Sequence, residues 1–284
     1  MKIGWIGAGI MGSPMICHLL EKGNAVYVYA RHKEKITRVL EKGAVFQESI
    51  EELVHNSDVI CTMVGMPKDV KEVYEEIFKE IEPGKICIDF TTSSPDLAKE
   101  LYEQGKNRHV RIMDAPVTGG DVGAENGTLT ILVGSDLDAF EDMYELLACF
   151  GKNIYHCGAA GSGQSVKIAN QIMLSNTLQG ICEGMQYLNA RGMDEHLIFE
   201  CLKEGAAGSK QLDLQGEKML NHDYEPGFYV KHLVKDLSVA LEEKSISLTG
   251  IKQVKKEYQE LMQDGMENLG TQCLIEYFVR EKKD

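Results

Sequence analysis

The sequence lacks any run of about 20 apolar residues, the length that a membrane span requires, and no charged-then-apolar leader precedes Lys2-Ile3-Gly4-Trp5-Ile6-Gly7. A chain that neither spans a membrane nor is exported is therefore expected. None of its eight cysteines forms a C-x-x-C pair, and most lie in apolar runs. They read as buried thiols in a reducing cytoplasm rather than as a disulfide framework. Positive charge is scarce: 30 Lys and Arg face 44 Asp and Glu, for a net charge of -14. Such a field repels phosphate backbones and argues against nucleic acid as a partner. An anionic ligand must be held by local features, a helix N-terminus or a single well-placed cation. No H-E-x-x-H occurs, and no histidine stands at ligand spacing from carboxylates or thiolates, so no metal is indicated. Internal repeats and low-complexity tracts are missing as well.

What is present is a chain of 284 residues, 43% hydrophobic and 26% charged, a core-forming composition on a length that favours two domains. Short apolar runs at 2–6, 25–29, 59–63, 86–89, 111–114 and 130–133 alternate with helix-period stretches such as 33–42 and 69–81. This βαβ rhythm predicts an α/β fold whose first domain, residues 1–162, is a doubly wound parallel sheet of Rossmann type. From Gly163 the strand signal stops. A single long helix over 163–191, ending before Gly192, is expected to bridge into an all-α second domain, 163–284, with further helices at 194–203, 210–221, 230–245, 253–264 and 268–280.

Gly7-Ala8-Gly9-Ile10-Met11-Gly12 follows the first strand and opens a helix, the setting in which G-x-G-x-x-G marks a dinucleotide site. Glycines there let the backbone approach a pyrophosphate held by the helix N-terminus. An acid at the end of the second strand would grip the ribose hydroxyls of NAD. Here Tyr29 is followed by Ala30-Arg31-His32-Lys33. Arg31 can pair with a 2′-phosphate, which points to NADP, with NAD still possible.

Four blocks in order, Gly7 to Met15, Asp114-Ala115-Pro116-Val117-Thr118-Gly119-Gly120, Gly161 to Gln171 and Lys235-Asp236-Leu237, make the chain resemble the β-hydroxyacid dehydrogenase family over nearly its whole length. That family includes 3-hydroxyisobutyrate dehydrogenase, tartronate semialdehyde reductase, and glyoxylate or succinic semialdehyde reductases. The resemblance implies hydride transfer between NADP(H) and a small 3-hydroxy acid or semialdehyde acid. Lys167 would be the catalytic acid/base, and Thr118, Gly119 and Gly120 would clamp the substrate carboxylate. Asn170 and Gln171 lie three and four residues after Lys167, hence on its helical face. They are expected to orient it or the substrate, although similar proteins carry Asn where this chain has Gln171.

Loops at strand ends, Val64-Gly65-Met66 and Thr91-Thr92-Ser93, are expected to complete the nicotinamide pocket, with Thr92 bonding the ribose or the hydroxyls capping the next helix instead. The F-x6-K-D pattern of Phe228 and Lys235-Asp236 assigns Phe228 and Lys235 to the cofactor by resemblance alone, with Asp236 as a helix anchor. Gly270 stands where the family often has Asp. Two relatives of the same superfamily, imine reductases without the lysine and phosphosugar dehydrogenases with a larger helical domain, are alternatives, as is a non-catalytic NADP-binding protein. Helical domains of this kind pair in similar proteins, so a homodimer or homotetramer is expected.

Overall fold

A computed structural model describes residues 1–280, and the chain divides into two compact units, Met1–Lys167 and the residues from Ile168 onward. In the first unit nine strands form one sheet: β1 (Lys2–Ile6), β2 (Ala25–Tyr29), β3 (Val45–Phe46), β4 (Val59–Thr62), β5 (Ile86–Asp89), β6 (Arg111–Asp114), β7 (Val117–Thr118), β8 (Leu129–Gly134) and β9 (Gly151–Gly158). Their order is β3-β2-β1-β4-β5-β6-β8-β7, with β9 paired to β8. All pairings from β3 to β6 are parallel. Every residue of β4 and β5 is buried, as a strand covered by helices on both faces must be.

The chain leaves β1 toward β2 on one side and returns to β4 on the other. The gap between the carboxyl ends of β1 and β4 is therefore the switch point at which open α/β sheets bind ligands. Local chemistry sets the helices that make these crossovers. Ser49 and Ser94 accept the backbone N–H of Glu52 and Leu97 at 3.1 and 3.0 Å, capping the helices Ile50–His55 and Pro95–Lys106. Proline at the first position of Pro67–Glu80 and of Pro95–Lys106 costs no hydrogen bond there.

The expected parallel sheet is correct for β1 to β6, and the remainder differs from the sequence reading. β8 runs antiparallel to β6 and β7, and three strands, β3, β7 and β9, carry no apolar run that would announce them. β3 and β7 have two residues each, and β9 is an edge strand with no fully buried position. The stretch 33–42 is not one amphipathic helix but a 3₁₀ turn, Lys33–Ile36, leading into Thr37–Glu41. In the core of this unit, Trp5 stacks on Phe90 with ring centroids 5.4 Å apart, and Phe150 meets both edge-on at 6.2 and 5.4 Å.

The helix Ser162–Ala190 carries the chain into the second unit, which continues as Glu195–Lys203, Lys210–Leu220, Val230–Ala240, Thr249–Gln263 and Leu274–Arg280. Leu178, Cys182, Leu233, Leu237, Val254 and Tyr258 form its core. The helix expected over 230–245 stops at Ala240, where the Leu241 N–H turns back onto the carbonyls of Leu237 and Ser238 and a charged Glu-Glu-Lys follows. That expected over 268–280 starts late. Tyr229 and Gly270 pair as an isolated bridge, Leu269 gives its carbonyl to the Val230 N–H at 3.0 Å, and a turn, a bend and the 3₁₀ segment Thr271–Cys273 occupy the stretch before the helix. Among the described residues, no helix is long and apolar enough to cross a membrane.

Replacing Phe150 by Ala empties the third corner of the aromatic cluster. The expected loss is about 3–5 kcal/mol of stability, read by urea unfolding through the fluorescence of Trp5, the chain's one tryptophan. A loss under about 1 kcal/mol would contradict this packing.

Candidate active site

The turn after β1 is shaped by its glycines. Gly7 holds φ 96°, and a Cβ there would lie 2.2 Å from the Met63 carbonyl. A Cβ at Gly12 would meet the Gly7 carbonyl at 2.2 Å, so the helix Gly12–Glu21 starts tight against the turn. At Gly9, by contrast, a Cβ would meet nothing within 4 Å. The first and third glycines are thus needed for the fold and the second leaves the loop surface bare, an arrangement that fits a dinucleotide pyrophosphate. Ala8 is buried, Met11 half-buried and Ile10 exposed. The Trp5 indole N–H donates to the Gly7 carbonyl at 3.1 Å and fixes the turn from below.

At the end of β2, Arg31 is exposed, and its guanidinium lies 3.6 Å from Asp69. Asp69 is itself held at the start of the helix Pro67–Glu80, where it accepts the Met66 N–H at 3.0 Å. The acid missing from the end of β2 is thus matched by one that arrives from the far side of β4. Val64 and Gly65 are half-buried and Met66 exposed, along the same strand end.

That loop is tied to the next one. The Val64 N–H donates to the Thr91 hydroxyl at 2.9 Å, the Thr62 hydroxyl donates to Asp89 at 2.7 Å, and the Thr91 N–H donates to the same Asp89 oxygen at 3.1 Å. Thr92 stays half-buried between them, and helix capping falls to Ser94 rather than to Thr91, Thr92 or Ser93. Gln164, completely buried, accepts the Ser93 N–H at 2.8 Å and donates to the Thr91 carbonyl at 2.7 Å. Asp114, at the end of β6, accepts the N–H of Gly161 at 2.7 Å with one oxygen and that of Gln164 at 2.8 Å with the other.

Beyond Asp114 the chain reaches Thr118, half-exposed, and then Gly119 and Gly120 at φ 133° and 66°, which open the short helix Gly120–Glu125. Lys167, one turn after Gln164 on the helix Ser162–Ala190, is 7% exposed. Of its apolar neighbours only Ile168 is buried, while Val166 and Ala169 are exposed.

The other residues singled out from the sequence belong to the second unit. Asn170 donates to the Gln171 side-chain oxygen at 2.9 Å, and Gln171, 1% exposed, donates to Asp236, whose other oxygen lies 2.8 Å from the Lys235 ammonium. Both ends of the Gln171 amide are therefore engaged by protein groups. Lys235 is buried, and the carboxylate beside it offsets the cost of burying the cation. Burial and the neighbouring Lys235 push His232 below the usual imidazole range. Phe228 is half-buried against the helical core. Gly270 has a local reason: a Cβ there would lie 2.3 Å from the Gln272 side-chain oxygen, and the Gln272 amide donates to the carbonyls of Asp223 and Glu225.

Sequence reasoning did not single out Asp89, which ties Thr62 to Thr91, and read Asp114 and Gln164 only as parts of matching blocks. An acid closing a strand after apolar residues, Ile86-Cys87-Ile88 in β5 and Ile112-Met113 in β6, is the signal that marks Asp89 and Asp114. It also found no metal-ligand spacing, yet Glu51, His55 and Glu80 bring ligand-capable atoms within 4.8 Å of one another. Glu80 comes from a different helix, so the grouping is invisible along the chain. None of the three lies in a strand-end loop, and Glu51 and His55 are solvated.

Asp89 and Asp114 face each other in register on neighbouring strands, and burial, the dominant cause, pushes both carboxyls up to about 6. In the unfolded chain they titrate near 3.8. Between these values the folded unit holds protons that the unfolded chain has released, so stability rises as pH falls through 6 and the gain is complete below 4. Asn in place of Asp89 keeps an oxygen for Thr62 and Thr91 while removing the charge. Calorimetry should show the wild-type melting temperature rising by a few degrees more than that of Asp89→Asn between about pH 7.5 and pH 5. Identical shifts in the two proteins would refute the assignment.

Residues 2–158 match the family model described as the NAD binding domain of 6-phosphogluconate dehydrogenase, and residues 161–278 that described as NAD-binding of NADP-dependent 3-hydroxyisobutyrate dehydrogenase. Among relatives, the chain is 42% identical to an uncharacterised oxidoreductase of Bacillus subtilis, over 98% of this chain and 99% of the other. It is 35% identical to the 2-hydroxy-3-oxopropionate reductase of Escherichia coli, over 85% and 84%. The solved structure of 3-hydroxyisobutyrate dehydrogenase from Mycobacterium tuberculosis with L-serine superposes with a TM-score of 0.90 at 25% identity, covering 98% of each chain.

Proposed function

The chain belongs to the β-hydroxyacid dehydrogenase family of NAD(P)-dependent oxidoreductases, and on that footing we propose that it interconverts a small 3-hydroxy acid and its aldehyde acid with NADP(H), using Lys167 to carry the proton. The observation that carries this reading is the burial of Lys167 one helical turn from the residue that fastens the nicotinamide-side loops, Gln164. A solvated lysine would serve no such chemistry, and a protein that only senses the cofactor would have no use for a cation buried there.

The loop Gly7 to Gly12 would hold the pyrophosphate, with Val64, Gly65, Met66 and Thr92 lining the approach to the nicotinamide and Arg31 reaching a 2′-phosphate. Arg31 is poised for that exchange, since its present partner is a 3.6 Å contact to Asp69 with the guanidinium largely in solvent, a pairing of little strength. The bound nicotinamide supplies or accepts the hydride. Thr118, Gly119 and Gly120 clamp the substrate carboxylate through the hydroxyl and the backbone N–H groups. Lys167 takes the proton from the hydroxyl in oxidation and returns it to the carbonyl oxygen in reduction.

Lys167→Ala is expected to lower turnover by on the order of 10²-fold or more while NADPH binding stays nearly intact; steady-state rates and fluorescence titration measure the two, and unaltered turnover would sink the mechanism. Arg31→Ala removes a contact to a charged group worth about 1.5–3 kcal/mol, so NADPH should weaken by roughly tenfold or more with NADH little changed. Equal weakening of both cofactors would remove the 2′-phosphate assignment.

A further inference from the structure

We propose that Asp114 is the positioning residue for Lys167, a buried carboxylate that fixes where the lysine's helix begins relative to the Thr118-Gly119-Gly120 turn. The inference rests on the reading of Lys167 as the proton carrier.

An α-helix leaves its first N–H groups without partners inside the helix, and a local Ser, Thr, Asp or Asn normally satisfies them. Local partners cover only part of this helix start: the Ser162 N–H bonds the Ala159 carbonyl and the Ser165 N–H the Gly161 carbonyl. The N–H groups of Gly161 and Gln164 go instead to the two oxygens of Asp114, 47 and 50 residues earlier in the chain. A bidentate carboxylate at a helix N-terminus also gains from the macrodipole, most strongly where water is excluded. Asp114 is 4% exposed.

The seat is cut to size on both sides. A Cβ at Gly134 would lie 2.4 Å from one Asp114 oxygen, and a Cβ at Gly163 would lie 2.3 Å from the Leu132 carbonyl and 2.9 Å from Asp114. Both neighbours must be glycine for the carboxylate to reach the helix. Gln164 adds a second fastening, since its amide bonds Thr91 and Ser93 across the β5 loop. Helix start and loop therefore cannot shift independently.

Two consequences follow for the site. Lys167 comes three residues after Gln164, so any slip or rotation at the first turn passes directly to it. Thr118 comes four residues after Asp114 on the same stretch of chain, so one residue ties the carboxylate clamp to the element that carries the acid/base. Mispositioning a catalytic group by about 1 Å can cost on the order of 10²-fold in rate. A positioning role thus predicts a loss in turnover clearly larger than any loss in cofactor binding, which the β5 loop shares only through Gln164.

Asp114→Asn keeps the shape but replaces one acceptor by an amide that faces helix N–H groups. Gly163→Ala leaves the carboxylate intact and pushes the helix start off its seat from the other side. For each folded variant, kcat should fall by roughly 10- to 100-fold, while the NADPH dissociation constant, read through Trp5 fluorescence, rises by a clearly smaller factor. Unchanged kcat, or a dissociation constant that rises in step with the loss of kcat, overturns the proposal. Should Asp114→Asn fail to fold, Gly163→Ala decides it alone. If Lys167→Ala is inactive while both of these variants turn over normally, the lysine reading survives and the positioning role does not. If Lys167→Ala turns over normally, the lysine reading itself has failed.

Discussion

A buried carboxylate that must satisfy the start of a 29-residue helix is the constraint around which the first unit is organised. Asp114 can reach the helix only because β6 ends where it does, and because Gly134 and Gly163 leave room on either side. Gln164 then draws in the β5 loop, Thr91 draws in the β4 loop through Val64, and Asp89 holds Thr62 and Thr91 in turn. Three consecutive strand ends are thereby locked to one helical turn. Both carboxylates carry the cost of burial in raised proton affinity, a cost that a fold retains when it needs those groups in fixed places.

The overall charge makes the local chemistry more telling. With a net charge of -14, the molecule as a whole repels an anionic cofactor and an anionic substrate. What offsets this is local to the first unit: a helix N-terminus bared by glycine at Gly9, an arginine at the edge of β2, and the buried Lys167. Lys235 sits beside Asp236 and is neutralised as a pair. Asp236 in turn holds Gln171, so the amide that departs from the family's usual Asn is spent on organising the second unit.

Much of this was legible along the chain because it is written in short-range patterns. The G-x-G-x-x-G loop, the six apolar strand runs and the long helix each need only a window of residues, and all three appear in the structure within a residue or two. Contacts made across long separations were not legible. β7 and β9 exist because β8 runs beside them, and the direction of β8 is set by the chain reversal between Thr118 and Leu129 rather than by its own composition. Asp114 meets Gly161 and Gln171 meets Asp236 across 47 and 65 residues, and no periodicity encodes such meetings. The burial of Lys235 was not legible for the same reason: its partner is adjacent in the chain, but its burial comes from the packing of the second unit.

The most direct measurement is consumption of NADPH, followed by absorbance, on mixing the protein with a panel of small aldehyde acids and with the matching aldehydes that lack the carboxylate. The proposed reaction predicts stoichiometric oxidation of NADPH with at least one aldehyde acid and little or none with its neutral counterpart, because on that reading the Thr118-Gly119-Gly120 turn grips the acid. Tight binding of NADPH with no oxidation by any acid, or equal rates with the neutral aldehydes, would contradict it.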